Sequence, residues 1–293
     1  MILVVCGLAL SGAFWYRSRT LSPAAMLKRL PTDDAVVLYV DFSRLRAADL
    51  LKWLDASKVG EDSEYRSFVA KTDFNYKRDL DTAVLAFAPK GKYMLLKGRF
   101  DWPSITNYAR NNDGRCNNSF CKMEGSAPEK RISFFPLKSN LMAMAVSDDD
   151  VAALRMNQVS TGPDAEIPDA PIWLSIPPSW VKSGASLPPG TQMFARSLER
   201  AQSVTLAVVP EEDHLAAKLN VRCASASDAG ALAADLNKTT RLLRELIERE
   251  HQTPNAADLS GFLTSGAFRS EGARVLGYWK IDRALIDNLF GGS

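Results

Sequence analysis

Histidine is almost absent from this chain, with only His214 and His251 among 293 residues. Because histidine is the commonest general base and metal ligand, two histidines give little support for histidine catalysis or for a metal site with several histidine ligands. His251 follows a long predicted helix, where the helix dipole accounts for it. The G-x-S-x-G, Walker, H-E-x-x-H and G-x-G-x-x-G motifs are missing as well. The sequence therefore predicts no catalytic, cofactor-binding or metal-binding residue.

Clustered positive charge is also missing. The formal net charge is +2, but Arg17, Arg19, Lys28 and Arg29 lie in the first thirty residues, where no acid occurs. The rest of the chain has 32 basic residues against 34 acidic ones. Nucleic acid binding needs clustered Lys and Arg, so this near-neutral body predicts no nucleic acid partner.

Cysteine is scarce, and two of the four lie close together. Cys116 and Cys121 flank Asn-Asn-Ser-Phe between two strand-like runs. A hairpin loop can bring this pair into disulfide range, and disulfides persist in oxidising compartments. The alternative is a pair of free thiols, and a zinc site would lack a second ligand pair. We expect a Cys116–Cys121 disulfide and an extracytoplasmic, periplasmic body.

An uncharged and mostly apolar run covers Ile2 to Tyr16. Aromatic residues at its end and Arg17 beyond it suit a membrane interface. As a helix the run would measure ~22 Å, short of the ~30 Å hydrocarbon core, so it fits a signal-peptide core or a short transmembrane anchor. The alternative is a buried N-terminal helix. The basic residues after the run favour a cytoplasmic body, whereas the cysteine pair favours export. We expect a membrane tether through this helix.

Two hairpin-like segments recur at a constant offset of 121. Leu85-Ala86-Phe87-Ala88-Pro89 matches Leu206-Ala207-Val208-Val209-Pro210, and strand patterns follow both prolines. A strand pattern precedes each hairpin and a helix pattern follows it. The repeated order is strand, helix, hairpin, helix, strand, and chance similarity of two hairpins is the alternative.

This order predicts an α+β fold of two tandem ferredoxin-like βαββαβ units, each an antiparallel sheet with helices on one face. The predicted boundaries are a hydrophobic segment and tether at 1–29, a first unit at 30–156, a linker at 157–170 and a second unit at 171–293. The linker contains Gly162, Pro163 and Pro168 and no apolar periodicity. A long amphipathic helix is expected over Ser227 to Glu250.

The opening of the body carries a resemblance. Leu30-Pro31-x-Asp33, then Leu38-Tyr39-Val40-Asp41 and Leu45-Arg46, resembles the start of uncharacterised bacterial envelope proteins with an N-terminal anchor. The resemblance covers mainly this opening and the duplicated layout. It implies an extracytoplasmic location and supplies no activity, ligand or catalytic residue.

Two classes of function remain. The first is a non-catalytic, membrane-tethered module that binds or scaffolds an envelope component, with a possible envelope protein partner. The second is a cofactor-free hydrolase with a carboxylate-based site between the halves, using strand-end residues such as Asp41 or Asp101. Asp148, Asp149 and Asp150 are interpreted as the acidic first turn of a helix capped by Ser147, and not as a cation site.

Overall fold

A computed structural model describes residues 22–51, 63–125, 131–160, 166–183, 194, 197–198, 201–211 and 214–291. The described strands are β1 (Val36–Asp41), β2 (Leu80–Ala88), β3 (Gly91–Gly98), β4 (Arg115–Asn117), β5 (Phe120–Glu124), β6 (Arg131–Lys138), β7 (Leu141–Ser147), β8 (Ile172–Ile176), β9 (Ser203–Glu211), β10 (His214–Arg222), β11 (Ala267–Glu271) and β12 (Arg274–Ile281). The described helices are α1 (Pro23–Leu27), α2 (Phe42–Ala47), α3 (Ser63–Thr72), α4 (Tyr76–Asp79), α5 (Trp102–Asn111), α6 (Ala152–Arg155), α7 (Pro178–Ser183), α8 (Ala226–Arg249), α9 (Leu259–Thr264) and α10 (Arg283–Gly291).

All twelve strands form one antiparallel sheet in the order β11-β12-β10-β9-β8-β1-β2-β3-β7-β6-β5-β4. The strands of the predicted first unit, β1–β7, and those of the second, β8–β12, meet where β1 pairs with β8, with Leu38 opposite Leu174. We call this pairing the seam. Outward from the seam the order β1-β2-β3-β7-β6 on one side matches β8-β9-β10-β12-β11 on the other. The sheet is therefore continuous in the hydrogen-bonding direction from one half to the other.

The sheet has two faces that alternate residue by residue. The front face carries Tyr39, Val84, Trp173 and Ala207, which belong to one buried cluster. The back face carries a cross-strand row in which Leu85 pairs with Leu38, Leu38 with Leu174 and Leu174 with Leu206.

Helices cover both faces of the first half, whereas the long described helix over the second half lies on the back face. On the front face, α1 and α6 pack over the first half through Met26, Leu27, Ala153 and Met156. On the back face, α5 packs over the first half through Ile105 and Ala109. The amphipathic helix α8 covers the back face of the second half; its buried residues are Ala229, Leu232, Ala233, Leu236 and Thr240. The front face of the second half is left as an open groove.

The predicted pair of ferredoxin-like units is wrong. In a βαββαβ unit a later strand separates the first two, which then run parallel. Here β1 pairs directly with β2 and runs antiparallel to it, with Leu38 opposite Leu85. Helices also cover both faces of the first half, where one face was expected.

The predicted offset between the two hairpins is wrong by two residues. Ala88 pairs with Gly91 and Glu211 pairs with His214, so the hairpins correspond at an offset of 123 and not 121. Pro89 lies in its turn, whereas Pro210 lies within β9, opposite Leu215. A shift of two residues preserves the face of every side chain, so Leu85 and Leu206 still share the back face.

The predicted membrane tether is also corrected. The first described helix is α1, which has five residues, and no helix in the described ranges is long and apolar enough to cross a membrane. Residues 2–16, on which the prediction rested, lie outside the described residues. The membrane partner is therefore not retained.

The stack of Tyr39 on Trp173 gives a test of the seam. The rings lie 5.4 Å apart and nearly parallel, and Trp173 is 3% exposed. Trp173→Ala should lower the free energy of unfolding by about 3–5 kcal/mol. Urea denaturation followed by circular dichroism measures this loss. The matched control Trp180→Ala, at a residue 44% exposed, should change it by less than about 1 kcal/mol. Equal losses for both variants would contradict the packing described for the seam.

Candidate functional site

An apolar cavity of about 670 Å³ lies between α3, α5 and the back face of the first half. Its floor is formed by Met142 and Met144 of β7 with Ile132 and Phe134 of β6. These side chains point to the back face because their neighbours Ala143, Ala145 and Phe135 point to the front core. The remaining lining residues are Tyr65, Ser67, Phe68, Phe74, Leu96, Phe100, Ile105, Tyr108, Asn112, Met123, Glu124 and Gly125.

Aromatic rings form the helical wall of the cavity. Phe68 of α3 meets Tyr108 of α5 edge to face, with ring centroids 5.0 Å apart. Phe74 stacks on Phe100 at 5.6 Å, and Phe68 meets Phe74 at 5.9 Å. Such pairs each stabilise a structure by about 0.5–1.5 kcal/mol beyond their buried area. The wall is therefore held by ring contacts, while the floor carries flexible methionines that adapt to an occupant's shape.

Polar groups are few and lie mainly at the rim. Lys71 places its ammonium 5.6 Å from the centroid of the Tyr108 ring, and Glu124 is exposed. The Asn112 side chain donates to the Tyr108 carbonyl at 2.7 Å. Burial raises the pKa of the Tyr65 hydroxyl, so this group stays neutral at physiological pH. The interior therefore favours an uncharged, apolar occupant.

A buried carboxylate fixes the chain beside the wall. Asp79 accepts hydrogen bonds from the Asn75 backbone at 2.9 Å, from Arg78 at 2.8 Å and from Arg99 at 3.0 Å. Burial acts to raise the pKa of Asp79, but the hydrogen bonds from Arg78 and Asn75 and the nearby positive charges outweigh it, so the pKa is lowered. Asn75 and Arg99 directly neighbour Phe74 and Phe100 in the chain, so Asp79 ties together the two segments that carry the stacked rings.

The predicted disulfide is confirmed at the edge of the same half. Cys116 of β4 lies directly opposite Cys121 of β5, with Cα atoms 4.1 Å apart and a bond between their sulfur atoms. Cys121 is fully buried against Ile105 and Phe134. The bridge thus closes the hairpin whose β5 strand also contributes Met123 to the cavity.

The carboxylates considered for hydrolysis have structural roles. Asp41 accepts a hydrogen bond from the backbone of Arg44 at 2.9 Å and so caps α2. Asp101 accepts from the backbone of Ser104 at 3.3 Å and caps α5. In each residue, therefore, one carboxylate oxygen accepts a hydrogen bond from the first turn of the helix that follows, and the two residues cap different helices. The described contacts do not bring them together as a catalytic pair.

The interpretation of the acidic residues after β7 as the first turn of a helix capped by Ser147 is corrected. Ser147 belongs to β7, and its hydroxyl accepts from the Asp149 backbone in a tight turn, not at a helix cap. Asp149 and Asp150 form ion pairs with Arg155 and Lys122. Within the described ranges, no group of three or more His, Cys, Asp or Glu residues is arranged to hold a metal ion.

The cavity itself was not predicted from the sequence. The alternation of Met142 and Met144 with Ala143 and Ala145 was available as a signal, because it sets large flexible residues on one face of β7 and small residues on the other. Without the positions of α3 and α5, that pattern did not distinguish a cavity floor from ordinary core.

Asp79→Asn tests the support of the aromatic wall. The variant should lower the free energy of unfolding at pH 7 by about 1–3 kcal/mol, because the buried, charged acceptor shared by the Asn75 backbone, Arg78 and Arg99 is lost. A carboxyl with a lowered folded pKa stabilises the fold above its unfolded pKa, about 3.9, and this contribution is lost as pH falls through the folded pKa. The difference between variant and wild type should therefore shrink below about pH 4.

Urea titrations at pH 7 and pH 3 measure both effects. Asp81→Asn is the matched control, since Asp81 is 46% exposed and pairs with Arg46 near the surface. It should cost less than about 1 kcal/mol. A pH-independent penalty for Asp79→Asn would contradict the electrostatic role of its carboxylate.

Comparisons with known proteins assign no family to this chain. No family model matches the chain, and no curated protein matches it. Among solved structures it is similar to crystal forms I, III and IV of TP0453, with TM-scores of 0.46, 0.48 and 0.48 and identities of 12%, 11% and 11%. The alignments cover 88% of this chain and 94%, 94% and 92% of those chains. A similarity of this size assigns neither a family nor a function. The predicted envelope partner finds no support in it and is not retained.

Proposed function

We propose that this protein is a non-catalytic, extracytoplasmic binding protein whose ligand is an elongated apolar molecule of the size of a fatty acyl chain. The cavity under α3 and α5 carries this proposal. Its volume of about 670 Å³ falls in the range of about 300–1,000 Å³ that is usual for small-molecule sites. Its floor and wall are mostly methionine, aromatic and aliphatic side chains, with few polar groups among the lining residues.

The shape of the lining favours a chain-like ligand. Met123, Met142 and Met144 come from three positions on two strands, so flexible thioethers border a long stretch of the floor. The opposite wall presents the rings of Phe68 and Tyr108, and the exposed Lys71, outside the lining residues, lies beside the Tyr108 ring. An apolar chain with one anionic end would bury its chain between these surfaces and place its charge near Lys71.

The location rests on the disulfide. Disulfides are rare in reducing compartments and persist in oxidising ones. The Cys116–Cys121 bridge joins directly opposite residues of an antiparallel strand pair, and the Cys121 side chain is fully buried. This bridge supports an extracytoplasmic body. No observation of comparable weight favours the hydrolase alternative, because Asp41 and Asp101 cap separate helices.

Ligand binding is tested with cis-parinaric acid, a fluorescent fatty acid. Wild-type protein should bind it at micromolar concentration and increase its fluorescence. Met144→Trp adds bulk to the cavity floor and should weaken binding at least about tenfold, because overfilled sites exclude the ligand by steric contact. Leu242→Trp, at an exposed position of α8, is the matched control and should leave binding unchanged.

A thermal melt of each variant separates lost binding from lost folding. If Met144→Trp fails to fold, Leu96→Phe provides a smaller addition to the same lining. Unchanged affinity in a folded cavity variant, or no binding by the wild type, would exclude the cavity as the ligand site.

The disulfide gives a test of location. Protein isolated from its native compartment under alkylation should yield an unreduced peptide containing Cys116 and Cys121. Replacing both by Ser should cost about 2 kcal/mol, the chain-entropy value for so short a loop, and should leave the fold intact in near-ultraviolet circular dichroism. Two freely alkylated thiols in the native protein would remove the support for export.

A further inference from the structure

The open groove on the front face of the second half is separate from the apolar cavity. It measures about 920 Å³ and crosses β8, β9, β10, β12 and β11. Its sheet residues contribute four cations and no acid: Lys218, Arg222, Arg269 and Arg274. The acids among its lining residues are Glu166 and Asp169, and both come from the segment 166–170, which we call the strap.

Arg222 and Arg274 lie directly opposite each other on neighbouring strands. Two like charges in this position repel and destabilise the pair unless an anion lies between them. Glu166 supplies that anion. Its carboxylate accepts two hydrogen bonds from Arg274, at 2.9 and 3.2 Å, and lies 3.5 Å from Arg222. The hydrogen bond from Arg274 also lowers the pKa of Glu166, which keeps the carboxylate ionised.

The other two cations of the groove have partners on the sheet. Lys218 pairs with Glu211 at 2.7 Å and Arg269 pairs with Glu271 at 3.7 Å. Among the described residues, Glu166 is the carboxylate that contacts both Arg222 and Arg274, and Glu271 lies opposite Arg274 on β11. Removal of Glu166 therefore takes away the anion that the two arginines share, which makes the pair an anion-binding position in the groove.

The strap is attached to the body at its C-terminal end. Ala170 is buried, and Asp169 pairs with Arg44 of α2 at 2.8 Å. Pro171 accepts a hydrogen bond from the Asp41 backbone at 2.7 Å. Glu166, by contrast, is more than half exposed. Glu166 can thus leave the arginine pair while the end of the strap stays attached.

We propose that the groove binds an extended acidic peptide segment of a partner protein, whose carboxylate displaces Glu166 from Arg222 and Arg274. The groove is bordered by five strands, about 19 Å at 4.8 Å per step, which accommodates an extended segment of about five to six residues. Ser203, Thr205 and Asn220 line its floor and can hydrogen-bond the peptide backbone. The strap is itself an acidic peptide that uses the same arginines, so the protein carries an internal competitor.

The test uses the capped peptide acetyl-Glu-Ile-Pro-Asp-Ala-amide, which has the strap sequence 166–170, in ¹⁵N NMR titrations of the full chain. A tethered segment competes at an effective concentration near millimolar. Glu166→Gln removes this competitor and should tighten peptide binding at least about threefold relative to wild type, since apparent affinity scales with the fraction of open sites. The shifted resonances should be those of β10 and β12.

The arginine pair is tested in the same background. Adding Arg222→Gln and Arg274→Gln to Glu166→Gln should weaken binding at least about tenfold. Arg155→Gln, at an exposed arginine of α6, is the matched control and should have no effect. The peptide acetyl-Gln-Ile-Pro-Asn-Ala-amide should not bind. A thermal melt of each variant checks folding, and Glu166→Ala replaces Glu166→Gln if the latter melts early.

Three outcomes would overturn the proposal. Equal peptide affinity of wild type and Glu166→Gln would show that the strap is no competitor. Binding of inorganic phosphate with the same affinity as the peptide would reduce the groove to a small-anion site. Absence of peptide binding to Glu166→Gln at millimolar concentration would exclude the groove altogether. None of these results changes parinaric acid binding, so the two proposals fail separately.

Discussion

The pairing of β1 with β8 is the contact on which the arrangement of the molecule depends. Through it the strands of both halves become one sheet, with the stacked Tyr39 and Trp173 on the front face and Leu38 and Leu174 on the back face. Burial, together with the neighbouring Asp41 carboxylate, raises the pKa of Tyr39 to about 12, so the ring remains neutral up to strongly alkaline pH. Each half therefore completes the core of the other at the point where an isolated half would expose an edge strand.

From this shared sheet follow two sites of opposite character. Helices α3 and α5 cover the back face of the first half incompletely, and the gap is lined by apolar side chains from both layers. In the second half, α8 covers the back face, and the front face is left with hydroxyl, amide and guanidinium groups. Because side chains alternate between faces, each strand can serve a core on one side and a binding surface on the other.

The sequence allowed the local elements to be predicted better than their assembly. Strand β1, the hairpins and helices α3, α5 and α8 follow from apolar periodicity and turn residues, and the disulfide follows from the spacing of Cys116 and Cys121. The order of strands in the sheet did not follow, because the same sequence of elements is compatible with a crossover or with direct antiparallel pairing. The position of Pro210 within β9 was mispredicted for a local reason. Val208 is the last residue of β9 that pairs with β8, so at Pro210 no β8 residue needs a backbone N–H group as a donor, and proline is tolerated there.

At the candidate sites too, the sequence identified single acidic residues but not the groups that they contact. Asp41 ends β1 and Asp101 lies three residues after β3, yet the oxygens of both accept backbone hydrogen bonds at helix starts. Glu166 stands in a segment that composition marks only as a linker, yet it bridges two arginines separated from it by more than fifty residues. Whether an acid caps a helix, bridges two cations or reacts depends on which donors the fold brings to it, and pairing between distant segments decides that.

The arginine pair becomes visible only when β10 is placed beside β12 with Arg222 opposite Arg274. Sequence alone fixes neither neighbour, so a charged groove built across non-consecutive strands has to be found in the structure.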